Sequence, residues 1–343
     1  AGLVAAVSLE GCGLFTKSYD FTEAENSIYV EDNATIRAAM ISDFDKDYYS
    51  IDELAGVAQQ EALSFNKNVY DCSYYSYDQM TKEEKLYPIL QPTNVQQLLV
   101  GKVALITGGT GGIGFAIAKA FVEAGCKVII CGTNENKLRT KVDKIKQGAQ
   151  GLVLNVLDVD SLPAKIEQAI AMFPENRIDI LVNSAGVTAH SSFLNMTEKE
   201  YESIMDINAK GTFFMSQAVG RYMIEKSIKG HILNITSSSA LRPAWTAYEM
   251  SKWAVKGFTL GLADALLPYG IIVNAIAPGP VTTPMLGKWE GDSISNPEQP
   301  SGRYAVPSEI ASMATFLASD MGNLVVGDTV YMTGGSGIID LKH

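Results

Sequence analysis

The sequence predicts a doubly wound α/β fold: seven parallel strands covered by helices on both faces, preceded by a separate N-terminal extension. Two observations predict it. From about residue 100 onward, short apolar runs alternate with helical patterns, and glycines follow the first of those runs directly. Such alternation signifies a parallel sheet buried on both sides, and right-handed crossovers then give a nucleotide-binding architecture. The stretch before residue 100 has no sustained alternation, which sets it apart as the extension.

The first strand is "KVALIT" (102–107), and "FAIAKAFVEAG" (115–125) is the helix after the glycines. "KVIICG" (127–132) precedes "ENKLRTKVDKIKQ", and "GLVLNV" (151–156) precedes "SLPAKIEQAIAMF". "IDILVNSAG" (178–186) leads into one long helical stretch, 198–226. "KGHILNIT" (229–236) leads into a helix carrying "AYEMSK", and "GIIVNAIAPG" and "DTVYMTGG" supply the last two strands. Runs of this length bounded by turn residues read as buried strands. The predicted domains are 1–98, the extension, and 99–343, the nucleotide-binding domain.

The chain has 343 residues, a net charge of −11 and 47% hydrophobic residues. Its acidic balance argues against a nucleic-acid partner, which requires a basic footprint. It has no apolar run of the roughly 18 residues that a spanning helix needs. The four cysteines form no C-x-x-C pair, and the three histidines are scattered, so no metal is expected. Cys126 and Cys131 flank one apolar strand and read as buried free thiols.

The extension opens with "AGLVAAVSLEGCG". An apolar run ending in Leu9-Glu10-Gly11-Cys12 resembles the end of a bacterial lipoprotein signal with its lipid-accepting cysteine, and residues 1–65 resemble a lipoprotein N-terminal region. A small cytosolic extension, or a fused segment joined near residues 65–100, are the other readings. "TKEEKLYPILQPTNVQQLL" reads as a linker into the large domain.

"LITGGTGGIGFAIA" follows the first strand and opens a helix. Glycines there permit a tight turn and a close approach of backbone to a pyrophosphate at the helix N-terminus. Two registers fit: Gly109-x-Gly111-x-x-Gly114, and Thr107-Gly108-x-x-x-Gly112-x-Gly114. The second register resembles the classical short-chain dehydrogenase/reductase family, whose domain is of the Rossmann type. Further elements follow in that family's order: "NSAG" from Asn183 to Gly186, "INAKG" with Asn208, "NITSSS", Tyr248-x-x-x-Lys252, "APGPVTTPM" and "GRYAVPSEIASMATFLAS". The resemblance covers nearly all of 99–343 and leaves out 1–98.

Tyr248 and Lys252 stand one turn apart on one helix face. The same spacing recurs at Tyr222 and Lys226, so spacing alone does not decide between them. Context does: Tyr248 follows a strand ending in serines, where open α/β sheets bind ligands, whereas Tyr222 lies late in a long helix. A phenol with an ordinary pKa of about 10 suits neutral proton transfer poorly. Lys252 beneath it, with the cationic oxidised nicotinamide, is expected to lower that value and make Tyr248 a general acid/base. The resemblance implies that Lys252 also bonds the nicotinamide ribose, that a serine orients the carbonyl, and that Asn208 holds a water. The serine is Ser237, with Ser238 the alternative, because the interval to Tyr248 is shorter than is usual in the family. Trp245, in the short "ALRPAW" loop, either lines the substrate pocket or packs on the helix start.

The resemblance further implies where the dinucleotide sits. The loop contributes Thr107, Gly108, Thr110, Gly111, Gly112, Ile113 and Gly114. Thr133 and Asn134 follow strand two, and Asn155 and Val156 follow strand three. Asn183, Ala185 and Gly186 follow strand four, and Pro278, Gly279, Val281 and Thr283 belong to the turn after strand six. Gly132 occupies the position at which NAD-specific members carry an acid, so the repulsion that a 2′-phosphate would meet is gone. NADP is therefore the expected cofactor, with NAD the alternative. The expected activity is interconversion of a small carbonyl and a secondary alcohol by a cytoplasmic homodimer or homotetramer. The competing reading is a noncatalytic interaction protein, anchored to a membrane if Cys12 is lipidated.

Overall fold

A computed structural model describes residues 98–145, 147–289 and 291–339, together with the backbone of short strands earlier in the chain. The chain divides into two compact units, Ala1–Val95 with Gly291–Ser295, and Gln96–Glu290 with Asn296–His343. In the first unit, Ser27–Asp32 pairs antiparallel with Ala34–Ile41, and Tyr70–Ser73 with Ile89–Pro92. Cys12 lies outside the described residues, and within the stretch read as a linker, 81–99, Ile89–Pro92 forms the strand just given and Leu99 is buried in the second unit's core.

The second unit holds a seven-stranded sheet. Its strands are β1 (Val103–Thr107), β2 (Lys127–Gly132), β3 (Ala149–Val153), β4 (Ile180–Asn183), β5 (His231–Ile235), β6 (Ile272–Pro278) and β7 (Thr329–Met332). Their order across the sheet is β3-β2-β1-β4-β5-β6-β7, with every pairing parallel. The order reverses direction between β1 and β4, and ligands bind at such a switch point, outside the C-terminal strand ends. No strand of this sheet comes from residues before Val103.

Seven helices cover it: α1 (Gly112–Glu123), α2 (Glu135–Ile145), α3 (Leu162–Ile170), α4 (Glu198–Met205), α5 (Gly211–Glu225), α6 (Ala247–Leu266) and α7 (Pro307–Ala318). Successive strand residues point to opposite faces, so each central strand feeds two cores. In β1, Ala104 and Ile106 pack with Ile117 and Phe121 of α1 and Ile310 of α7. Val103 and Leu105 pack on the other side with Ile166 of α3 and Met215 and Val219 of α5. Burial on both faces explains why these strands read as unbroken apolar runs.

Two boundaries differ from the sequence reading. The third strand is Ala149–Val153 rather than 151–156, because its register is set by pairing with Val128–Gly132 of β2. Beyond it, Asn155 Oδ1 accepts from Leu157 N–H (3.1 Å) and turns the chain away. The long helical stretch is interrupted: a π-helical turn, Asp206–Lys210, separates α4 from α5.

Candidate active site

The glycine loop joins β1 to α1. Gly108 has φ +63°, a conformation glycine adopts without steric cost, and a Cβ there would stand 2.7 Å from the backbone of Ser184 and Ala185. A Cβ on Gly114 would meet Gly108 O at 2.5 Å, and one on Gly112 would meet Thr283 Cγ2 at 2.5 Å. Gly111 is exposed, and its nearest obstacle would be Gly108 O at 3.2 Å. Three of the four constrained glycines, Gly108, Gly112 and Gly114, are those of the second register. The fourth, Gly109, abuts Ile130 of β2.

α1 starts without a side-chain cap at Gly111 and with no acid in its first turn. Leading helix N–H groups left without a side-chain acceptor suit an anion, and the bare glycine surface lets that anion approach. The residues thus fit a dinucleotide pyrophosphate. Ile113 is half-buried at this helix start, and Thr110 Oγ1 stands beside Gly132, 3.4 Å from where a Cβ would be.

Other members of the expected cofactor set divide into two groups. Thr133 and Asn134 are exposed after β2, and Asn134 Oδ1 accepts from Lys137 N–H (2.9 Å). Asn155 is exposed, and Val156 is buried, close enough that a Cβ on Gly211 would lie 2.6 Å from its Cγ2. Pro278 ends β6, Gly279 lies against the Thr333 backbone, and Val281 bridges Ala305. Thr283 is buried against Gly112.

The side chains of Thr107 and Asn183 are turned elsewhere, contrary to the expectation that they face a cofactor. Thr107 Oγ1 accepts from Ser184 N–H (3.1 Å) and Ala185 N–H (3.2 Å), tying β1 to the turn after β4. Asn183 Nδ2 donates to Ser216 Oγ and Asn234 Oδ1, both at 2.9 Å, within the buried sheet. Buried polar groups seek partners, and Asn183 Nδ2 finds both of its own in the core, while its Oδ1 has none.

Tyr248 lies in the first turn of α6, and the Ser237 hydroxyl acts to lower its phenol. Ser237 Oγ accepts from Ser239 N–H (3.1 Å). Ser238 is buried. Lys252 is buried, and its Nζ donates to Ile235 O (3.0 Å) and lies 5.7 Å from the centre of the Tyr248 ring. Burial disfavours the ammonium and pushes Lys252 down to about 8.

The Tyr248 phenol is raised, first by burial, against the lowering effect of the Ser237 hydroxyl; Glu249 raises it further. The lowering expected from Lys252 is not what governs it. Loss of solvent penalises the phenolate, and the ammonium is turned to the Ile235 carbonyl rather than to the phenolic oxygen.

Asn208 sits in the π turn, a deformation frequent at functional sites. Its Oδ1 accepts from Val187 N–H (2.8 Å), while its Nδ2 donates to Val187 O (2.9 Å) and Ser251 Oγ (3.0 Å). Ser251 Oγ donates to Tyr248 O (2.7 Å). A Cβ on Gly186 would come within 3.3 Å of Asn208 Oδ1 and 3.7 Å of Lys252 Nζ, so Gly186 lies beside both. The turn after β4, the π turn and α6 therefore meet at one corner. Ser251 and the π turn escaped the sequence reading.

Trp245 is 57% exposed, so it does not pack closely on the helix start. Tyr222 and Lys226 behave as a separate pair of surface groups. The Tyr222 phenol, at the far end of α5, is raised by burial against the Ile178 backbone, and Lys226 pairs with Glu225 (2.8 Å). Among the described residues, no cluster suited to a metal ion and no helix long and apolar enough to cross a membrane occurs. Cys126 and Cys131 are free and buried, and burial raises both thiols.

This fold and crevice define a dinucleotide-binding α/β protein with a polar corner of Tyr, Ser, Lys and Asn. Residues 102–293 match the short chain dehydrogenase family. The 3-oxoacyl-(acyl-carrier-protein) reductase FabG of Salmonella typhimurium is 36% identical over 239 residues, 68% of this chain and 97% of that protein. The 2-dehydro-3-deoxy-D-gluconate 5-dehydrogenase of Dickeya dadantii is 35% identical over 259 residues, 72% and 98%. A solved short chain dehydrogenase from Bacillus anthracis aligns with a TM-score of 0.65 and 33% identity, covering 71% of this chain and 99% of that one. The chain belongs to the short-chain dehydrogenase/reductase family. It is an NAD(P)-dependent oxidoreductase acting on CH–OH and carbonyl groups of small molecules.

Proposed function

We propose that the chain interconverts a carbonyl and a secondary alcohol at the corner formed by Tyr248, Ser237 and Lys252, with Tyr248 moving the proton. The observation that carries this reading is the convergence of Tyr248 and Lys252 on one face of α6, with Lys252 Nζ 5.7 Å from the ring centre, at the end of β5 where Ser237 lies. The nicotinamide, when bound, supplies or takes the hydride at the substrate carbon. As the substrate oxygen gains charge, the phenol gives it a proton, and the Ser237 hydroxyl orients it. In the opposite direction the phenolate takes the proton, and the buried Lys252 charge favours that ion. Asn208 acts here as a positioning residue, since its amide is committed to Val187 and Ser251. A panel of carbonyls and alcohols assayed with NADPH and NADH tests the reading. No turnover with any of them would overturn it.

The preferred nucleotide in this reading is NADP(H). Gly132 presents no carboxylate, and the exposed Thr133 offers a hydroxyl instead. The kcat/KM with NADPH is expected to exceed that with NADH by about tenfold, a difference of roughly 1.4 kcal/mol. Gly132→Asp should reverse the preference, since the nearest atom to a Cβ there is Thr110 Oγ1 at 3.4 Å, an ordinary contact. Equal kcat/KM values in the unaltered protein would sink this assignment.

The catalytic domain in this reading spans 99–343, and the extension 1–98 is an appendage. All seven sheet strands fall within Val103–Met332, which supports it. A chain beginning at Leu98 is expected to stay soluble, bind nucleotide and keep turnover within about tenfold of the full chain. Insolubility, or a larger loss, would make the extension part of the enzyme. The reaction belongs in the cytoplasm, where nicotinamide nucleotides are pooled. A homodimer or homotetramer fits the half-exposed Phe213 of α5 and Trp253 and Leu260 of α6.

A further inference from the structure

The start of α6 carries a clasp that the proposed reaction does not yet use. Thr246 is the N-cap, and its Oγ1 accepts from Tyr248 N–H (3.2 Å). The Glu249 carboxylate reaches back to accept from Thr246 N–H (3.0 Å) and from the Thr246 hydroxyl. This is a reciprocal capping box, with each partner satisfying an orphan donor of the other. Tyr248 is enclosed between the two members, so the backbone that carries the phenol is held on both sides. Among family motifs the residue after the tyrosine is not one that the spacing Tyr248-x-x-x-Lys252 specifies, yet here it is a carboxylate.

We propose that Glu249 is a positioning residue for Tyr248: its clasp on Thr246 sets where the phenol stands at the start of α6. The same carboxylate acts to raise the phenol, opposing loss of its proton. The inference rests on the reading of Tyr248 as the proton carrier. The charged groups of α6 around this phenol are Glu249, which acts to raise it, and Lys252, whose Nζ is turned to Ile235 O. From the surrounding elements, the loop after β5 contributes the uncharged Ser237 hydroxyl, and the π turn contributes the uncharged Asn208 amide, which acts through Ser251. Burial brings Lys252 down to about 8, while the Glu249 carboxylate acts to raise the phenol. In physical terms the carboxylate keeps Tyr248 a proton donor over a wider pH range, which suits reduction of a carbonyl.

The test separates charge from clasp in the full chain. Glu249→Gln keeps a capping-box residue and removes the charge. The Tyr248 titration is read by ultraviolet phenolate absorbance, as the difference between each protein and its Tyr248→Phe counterpart, without reference to turnover. Glu249→Gln is expected to lower that titration by about half a pH unit and to move the pH profile of alcohol oxidation the same way. An unmoved titration and profile overturn the proposal. Glu249→Asp keeps the charge but withdraws it from Thr246. It is expected to leave the titration near its original value while kcat falls at constant KM. If Glu249→Asp instead matches the unaltered protein in kcat, the positioning half is wrong. Retained turnover in Tyr248→Phe alone would refute the reading of Tyr248, whereas a dead Tyr248→Phe with an indifferent Glu249→Gln would refute only this inference.

Discussion

Tyr248→Phe is expected to lower kcat by about 100- to 10,000-fold while leaving nucleotide affinity nearly unchanged. The substitution removes one oxygen and keeps the ring, the helix and the Thr246 cap. What is lost is the proton delivered to the substrate oxygen, an interaction made only as charge develops there, so the loss belongs in kcat. The nucleotide meets the glycine loop and the α1 start, which this change does not touch. Tyr222→Phe is the internal control. Tyr222 lies late in α5, away from the β5–α6 corner, so turnover should stay as it was. Steady-state kinetics with nucleotide titration by fluorescence checks both. Equal losses in the two variants would mean that the site has been chosen wrongly.

Gly108→Ala is expected to abolish measurable nucleotide binding and to destabilise the fold by about 2–4 kcal/mol, combining left-handed backbone strain with overpacking. The new Cβ would stand 2.7 Å from the Ser184 and Ala185 backbone, which has no flexible end to move aside. Relief requires the loop to shift away from the turn after β4. That turn is tied to β1 through Thr107 and leads into the Gly186–Val187 segment beside Asn208 and Lys252. A displacement there therefore reaches the catalytic corner as well as the phosphate cradle. Denaturant unfolding and nucleotide titration give the two readings. Gly111→Ala is the contrast: Gly111 is exposed and lacks a positive φ, and a Cβ there would meet only Gly108 O at 3.2 Å, so the stability loss should be smaller. If Gly108→Ala binds nucleotide as tightly as the unaltered chain, the close-approach argument fails.

The predicted cofactor set shows where sequence reasoning stops. Its glycines were legible because each answers a local steric demand that no other residue meets. Thr107 and Asn183 were legible as polar groups at strand ends, but not as core ties, since their partners Ala185, Ser216 and Asn234 lie on other segments. The Thr246–Glu249 clasp was legible in principle: "TAYE" has the threonine-x-x-glutamate spacing of a capping box. The π turn left no periodic signature, because one extra residue in a turn shifts a helical pattern without breaking it.

The sequence by itself determined the seven strands of the α/β domain, its glycine loop and the free thiols, and it pointed to Tyr248–Lys252 by the strand end before it rather than by spacing. Each is read from the chain itself: a period of apolar residues, a backbone only glycine can adopt, the place of a motif after a strand. The tertiary structure alone decided that Lys252 is held at Ile235 O rather than at the phenolic oxygen. It also decided that Asn208 reaches Tyr248 through Ser251, and that burial, not the neighbouring cation, governs the phenol. These depend on distances between elements that only packing brings together, and on the solvent that packing excludes.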